Sequence, residues 1–168
     1  ARARFEDSHS GRTGEHDRTA ARAALAGIAS PLHFYGKMAL EANGRAFELP
    51  PVPLAPTAAE TEAVRGQAGL ARALQLIALG LRSEGVREWN WSLRGLGERE
   101  LLTAAQWACE REVWDRCINT SERTRDSIDI TQRYPLPLRD AVLPQAREAG
   151  LDPAYIYGLI RQESRFIM

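Results

Sequence analysis

The stretch L-A-R-A-L-Q-L-I-A-L-G-L, residues 70–81, decides the fold class. Leu70, Leu74, Ile77 and Leu81 recur every three or four positions, the period that puts side chains on one face of an α-helix. Upstream, Thr57 and Glu60 form a T-x-x-E capping box that opens another helix. Downstream, Ser83 starts a helix with Val86, Trp89 and Leu93 on one face. Leu101, Leu102, Ala105 and Cys109 make the next stripe, and Val113, Trp114, Cys117 and Ile118 the one after. The separators are short, so neighbouring helices are expected to pack as antiparallel hairpins. Their spacing is irregular, which argues against a repeat of fixed period. The expected fold is all-α: an antiparallel helical array of the superhelical or solenoid kind.

Composition points the same way. The 168 residues leave room for one domain plus a fragment of another. Ala (26) and Leu (19) far outnumber Ile and Val together (13), a balance that favours helix over sheet. Lys plus Arg (22) equals Asp plus Glu (22), so the positive excess of a nucleic-acid binder is missing. No run reaches the ~18 apolar residues of a membrane span, and no signal peptide is visible. The chain starts at Ala1 and stops after Phe166-Ile167-Met168. Both ends read as cut, so the missing signal carries no information about compartment.

Towards the N-terminus, residues 6–17 read as a polar loop and Asp17 as the cap of a helix running to Ala29. Ser30 is expected to cap, and Pro31 to open, a helix that Gly44 ends. Residues 50–56, P-P-V-P-L-A-P, read as an extended connector. Cys109 and Cys117, if carried on one helix, would lie about 12 Å apart along it and could not bridge, so both are expected as small core residues. His9, His16 and His33 lack zinc-site spacing. Of the tryptophans, Trp89, Trp107 and Trp114 fall on or beside apolar stripes and read as core rather than a sugar-stacking platform. Trp91 is out of phase and is the one expected at the surface.

The pattern changes near Thr131, and Arg133-Tyr134-Pro135-Leu136-Pro137 breaks helix. This divides the chain into a helical array, residues 1–132, and a second segment, 133–168. In that segment Pro144 is expected to kink or split a helix over 138–149, which Gly150 closes. Asp152 then caps a final helix with Pro153 at its first position. Its apolar face is Ile156, Leu159 and Ile160, and the next position on that face is Glu163. A carboxyl group turned toward an apolar interior loses hydration and holds its proton, as a general acid requires. An ordinary carboxylate paired with Arg161 or Arg165 is the other reading of the same spacing.

The residues themselves also carry a resemblance. Tyr134-Pro135-Leu136-Pro137-Leu138-Arg139-Asp140, Gly150-Leu151-Asp152-Pro153 and Ile160-Arg161-Gln162-Glu163-Ser164-Arg165-Phe166 resemble the entry to the lysozyme-like domain of soluble lytic murein transglycosylases. His33-Phe34-Tyr35-Gly36-Lys37-Met38-Ala39 resembles a segment of their superhelical domain. The match covers 134–168 and 31–44, and the helices between are compatible with it. The resemblance implies that Glu163 is the single catalytic acid, protonating the oxygen between N-acetylmuramic acid and N-acetylglucosamine. Its carboxylate would then take the proton from the muramoyl 6-hydroxyl, closing a 1,6-anhydro ring without water or a second carboxylate, unlike the two-carboxylate scheme. Ser164 matches a serine that orients the site. The resemblance further implies peptidoglycan glycan strands as partner, no cofactor or metal, no nucleic acid, and a periplasmic location. In that family a Gly-Leu-Met-Gln segment and further helices complete the saccharide cleft, so the 168 residues alone are expected to be inactive. The array by itself also suits a non-catalytic protein-interaction module.

Overall fold

The computed structural model describes residues 18–167. Asp17, His9, His16 and the loop over 6–17 lie outside the described residues. Among the described residues the secondary structure is helical throughout, with no strand. They fall into two compact units divided between Pro50 and Pro51.

The first unit holds helix α1, residues 18–28, and α2, Phe34–Ala42. Ser30 and Pro31 do not open α2. The helix starts later, at a cap made by His33, whose Nδ1 accepts the Gly36 N–H at 3.0 Å. Ser30 instead binds the Leu32 N–H at 3.2 Å. Gly36 is buried in this turn, where a Cβ would come within 2.6 Å of the Ser30 carbonyl oxygen. The Phe34-Tyr35-Gly36 motif is thus a packing requirement at Gly36, with both rings exposed. Gly44, at φ 65°, ends the helix as expected.

The second unit contains α3 (Ala58–Arg65), α4 (Ala68–Ala78), α5 (Arg82–Ser92), α6 (Glu98–Glu110), α7 (Trp114–Ser121), α8 (Ile130–Arg133), α9 (Arg139–Glu148) and α10 (Pro153–Ser164). The expected capping box opens α3, with Thr57 Oγ1 accepting from Glu60 N and the Glu60 carboxylate accepting from Thr57 N. Arg99 grips that carboxylate through Nε and Nη2, at 2.8 and 2.6 Å, and donates to the Leu54 carbonyl at 2.6 Å. One residue of α6 thereby fastens both the cap and the proline-rich connector. The antiparallel pairs are α4 with α5 and α6 with α7. Gly85 lets the first pair close, since a Cβ there would meet Ile77 Cγ1 at 2.6 Å and the Ala73 carbonyl oxygen at 2.7 Å.

The core of this array is Val64, Leu70, Leu74, Trp89, Leu93, Leu101 and Trp107, with small Ala and Cys side chains between them. Trp89 is fully buried and donates from Nε1 to Thr120 Oγ1 at 2.8 Å, tying α5 to α7. Trp91, on the same helix, is 64% exposed, as its phase predicts. Leu81 departs from its expected stripe. Helix α4 stops at Ala78, Gly80 turns the chain at φ 81°, and Leu81 sits half-exposed before α5.

The cysteines correct the sequence expectation. They occupy two helices rather than one: Cys109 lies on α6 and Cys117 on α7, and the turn at 111–113 folds these back on each other. Their Cα atoms are 5.0 Å apart and they are joined as a disulfide. The rise along a single helix was the wrong measure once the chain had reversed.

Candidate active site

The path from the array to Glu163 is pinned residue by residue. Glu122 follows α7, and the loop after it wraps the carboxylate of Glu98, which accepts from the backbone N–H of Arg125, Asp126 and Ser127 at 2.6, 3.0 and 2.9 Å. These bonds hold the Glu98 carboxyl below its usual range. Asp129 caps α8 through Thr131 N and Gln132 N. Buried Gln132 donates to the Leu102 carbonyl at 3.1 Å, and buried Arg133 donates to the carbonyls of Ser121 and Thr124 at 3.1 and 2.7 Å. Boundary-like composition near Thr131 therefore coincides with a well-tied corner.

Beyond it the chain bends at Tyr134, turns at Pro137 and Leu138, and enters α9. Pro144 neither splits nor ends α9, which continues through it as one helix. Helix α10 opens as expected, with Asp152 accepting from Ala154 N at 2.8 Å and Pro153 at the first position. A second apolar cluster seats it: Tyr157 and Phe166 pack with Ile118 of α7, joined by Trp114, Val142, Leu143 and Ile160. The Tyr157 hydroxyl donates to the Pro137 carbonyl at 2.9 Å, and burial pushes its pKa up.

This packing sets the rotation of α10, and the rotation differs from the expected one. The packed side runs through Ile156, Tyr157, Ile160, Arg161 and Ser164, whereas Leu159 is half-exposed and Glu163 is exposed. The expected face, Ile156-Leu159-Ile160-Glu163, is thus turned partly away. Two polar anchors missing from a hydrophobic pattern explain the shift: Tyr157 reaching Pro137, and Arg161. Arg161 Nε donates to the Arg133 carbonyl at 2.8 Å, and its guanidinium lies 4.5 Å from the Tyr134 ring centre. Arg161 Nη2 also pairs with Glu122 Oε1 at 2.6 Å, while Arg165 Nη1 pairs with Glu122 Oε2 at 2.8 Å. Burial pushes the Glu122 carboxyl up, but the pairs with Arg165 and Arg161 outweigh it and leave the group below its ordinary value. The arginines either side of Glu163 are therefore engaged with Glu122.

Ser164 sits at the end of α10, half-buried. Its hydroxyl donates to the Ile160 carbonyl and accepts from Phe166 N, both at 3.2 Å. After it, Arg165 and Phe166 take left-handed conformations, φ 49° and 60°, which turn the Phe166 ring back onto Tyr157 with centroids 6.2 Å apart. Ser164, with Trp114, Pro137, Val142 and Phe166, lines a cavity of about 110 Å³ that Glu163 does not border. The two site residues read from sequence are thus adjacent in the chain but face different surroundings. Glu122 and Tyr157 were not read from sequence, and Arg161 was read only as a candidate partner of Glu163, whereas it pairs with Glu122. The one available signal was Arg161 and Arg165 at i, i+4 at the end of a short helix.

Among the described residues no group of three or more His, Cys, Asp or Glu side chains is placed to hold a metal ion. No helix among them is long and apolar enough to cross a membrane.

Residues 63–126 match the family model of the soluble lytic murein transglycosylase L domain. The segments 31–44 and 134–168, which carry the resemblance, thus lie on either side of the residues that match this family model. The fold agrees with a solved structure, an inactive mutant of the lytic transglycosylase Slt from Pseudomonas aeruginosa, with a TM-score of 0.68 at 24% identity. That similarity covers 87% of this chain and 24% of the other, so the chain spans about a quarter of its solved neighbour. No curated protein matches the chain.

Proposed function

We propose that the whole protein is a peptidoglycan lytic transglycosylase, and that this chain carries its L-type array, residues 1–132, followed by the start of a lysozyme-like domain, 133–168. The observation that supports this reading most is the L-domain match over 63–126, followed within the same compact unit by a helix ending in Glu163-Ser164. In this reading Glu163 protonates the glycosidic oxygen between N-acetylmuramic acid and N-acetylglucosamine. The C1–O bond breaks, the muramoyl 6-oxygen bonds to C1, and the Glu163 carboxylate takes the hydroxyl proton. Ser164 orients the end of the helix. No cofactor is needed for this chemistry, and the partner is the glycan strand. A location outside the cytoplasm follows from that substrate, and the Cys109–Cys117 disulfide agrees with an oxidising compartment.

The exposure of Glu163 bears on how the site works. In this chain the side of α10 that carries its carboxylate is left uncovered. In the whole protein the walls of a saccharide cleft supply that cover. The 168 residues alone are accordingly expected to release nothing from sacculi, because positioning of the bond against the acid accounts for much of the rate.

The experiment is replacement of Glu163 by Gln in the whole protein, with 1,6-anhydromuropeptide release from purified sacculi read by mass spectrometry. Release is expected to fall by the ~10²–10⁴-fold of general acid–base loss. Release at the wild-type rate would assign the chemistry to another residue. Absence of release from the wild-type protein would leave the helical interaction module as the reading.

A further inference from the structure

Glu122 holds two arginines of the helix that carries Glu163, and it does so from the array side. Arg161 lies on α10, and Arg165, four positions on, is the helix C-cap, with its N–H bonded to the Arg161 carbonyl at 3.1 Å. Glu163 lies two positions from Arg161, about 200° round the axis at about 100° per residue. Drawing the two arginines down onto Glu122 therefore presents Glu163 on the opposite, exposed side.

An isolated surface ion pair contributes little, but this arrangement differs from one. A single carboxylate uses both oxygens, at 2.6 and 2.8 Å, and the Arg161 side chain is only 18% exposed. Arg161 is also fixed from two further directions, by the Arg133 carbonyl and the Tyr134 ring. Arg133 is in turn buried and bonded to the carbonyls of Ser121 and Thr124, next to Glu122 in the chain. The elements form a closed loop of contacts from α7 through α8 to α10 and back to Glu122.

Geometry gives the consequence of loosening it. A side-chain tip lies about 5–6 Å from a helix axis, so a rotation of about 10° moves a carboxylate by about 1 Å. A misplacement of about 1 Å can cost on the order of 100-fold in rate.

We propose that Glu122 is a positioning residue for Glu163: by gripping Arg161 and Arg165 together it fixes the rotation of α10, so that the helical array serves as the mount of the catalytic acid. The proposal rests on the reading of Glu163 as the proton donor. It assigns to the L-type array a part in turnover, although no residue of the array need touch the scissile bond.

The test uses the whole protein with a soluble uncrosslinked glycan strand as substrate, comparing wild type, Glu163→Gln, Glu122→Gln, Glu122→Asp and Arg165→Gln. Glu122→Gln is expected to lower kcat about 10- to 100-fold while KM stays within about twofold. Amide exchange in residues 153–164 should quicken while exchange in the array is unchanged. Glu122→Asp keeps the charge but is too short to span both arginines, and is expected to recover part of kcat. Arg165 is 40% exposed, so Arg165→Gln removes half the grip with little threat to folding, and a smaller kcat loss is expected. A folded Glu122→Gln protein with wild-type kcat, or a loss of rate that matches only a loss of folded protein, overturns the positioning role. Should Glu122→Gln fail to fold, wild-type kcat in Arg165→Gln overturns it. Release that survives Glu163→Gln overturns the underlying reading, and the positioning role with it.

Discussion

Replacing Trp89 by Phe and Thr120 by Val, singly and together, measures how α5 is tied to α7. Trp89 and Thr120 are both fully buried, and the indole N–H donates to the hydroxyl at 2.8 Å. In Trp89→Phe the Thr120 hydroxyl is left buried without its donor, at a cost of about 1–3 kcal/mol. The smaller ring also leaves roughly 40 Å³ unfilled, about 1 kcal/mol more at about 24 cal/mol per Å³. Thr120→Val keeps the shape but strands the indole N–H, again about 1–3 kcal/mol. In the double variant neither polar group remains to be stranded, so only the lost bond and the cavity persist, about 2 kcal/mol together. The singles should therefore exceed the double, when summed, by at least about 1 kcal/mol. Urea unfolding followed by circular dichroism at 222 nm gives the four free energies without depending on the tryptophan removed. Additivity within about 0.5 kcal/mol, the behaviour of independent sites, would refute the bond and leave Trp89 as an apolar filler.

The Cys109–Cys117 disulfide closes a loop of about nine residues, which corresponds to about 2.5 kcal/mol of stabilisation on the chain-entropy account. Reductant should lower the urea midpoint accordingly, and titration of unreduced, denatured protein should find no free thiol, so two reactive thiols would refute the bridge. Acid sensitivity should trace partly to Glu60, whose pKa falls from 4.5 to about 2 through the Arg99 hydrogen bonds and then those of Thr57. A lowered carboxyl contributes stability above its unfolded value and loses it as pH falls through the folded one. The difference in thermal midpoint between wild type and Glu60→Gln should thus be full above about pH 4.5 and fade towards pH 2; a difference constant with pH would refute the assignment. Glu98 and Glu122, both lowered, act with the same sign.

The chain's local grammar was legible without coordinates. The capping box at Thr57 and Glu60, the Asp152-Pro153 start of α10, the stop at Gly44 and the apolar stripes of α4 to α7 each depend on residues within one or two turns of one another. Short-range spacing fixes such features because backbone hydrogen bonding and the 3.6-residue period are local. The exposure of Trp91 beside buried Trp89 followed from phase alone. What failed were distances and directions set by other helices. The cysteines bridge because a turn reverses the chain between them, so their separation belongs to the α6–α7 hairpin and not to the rise of one helix. Helix α9 is not split at Pro144, and α2 is capped by His33 rather than Ser30 because a ring nitrogen makes the cap. Glu163 lies on the open side of α10 because Tyr157 and Arg161 find long-range partners in Pro137, Arg133 and Glu122, and these outweigh an apolar periodicity of only three residues. The sequence thus determined that α10 exists and which residues it carries. Its rotation, and with it the surroundings of Glu163, was decided by polar contacts made across about 20–40 positions of chain, which no local pattern encodes.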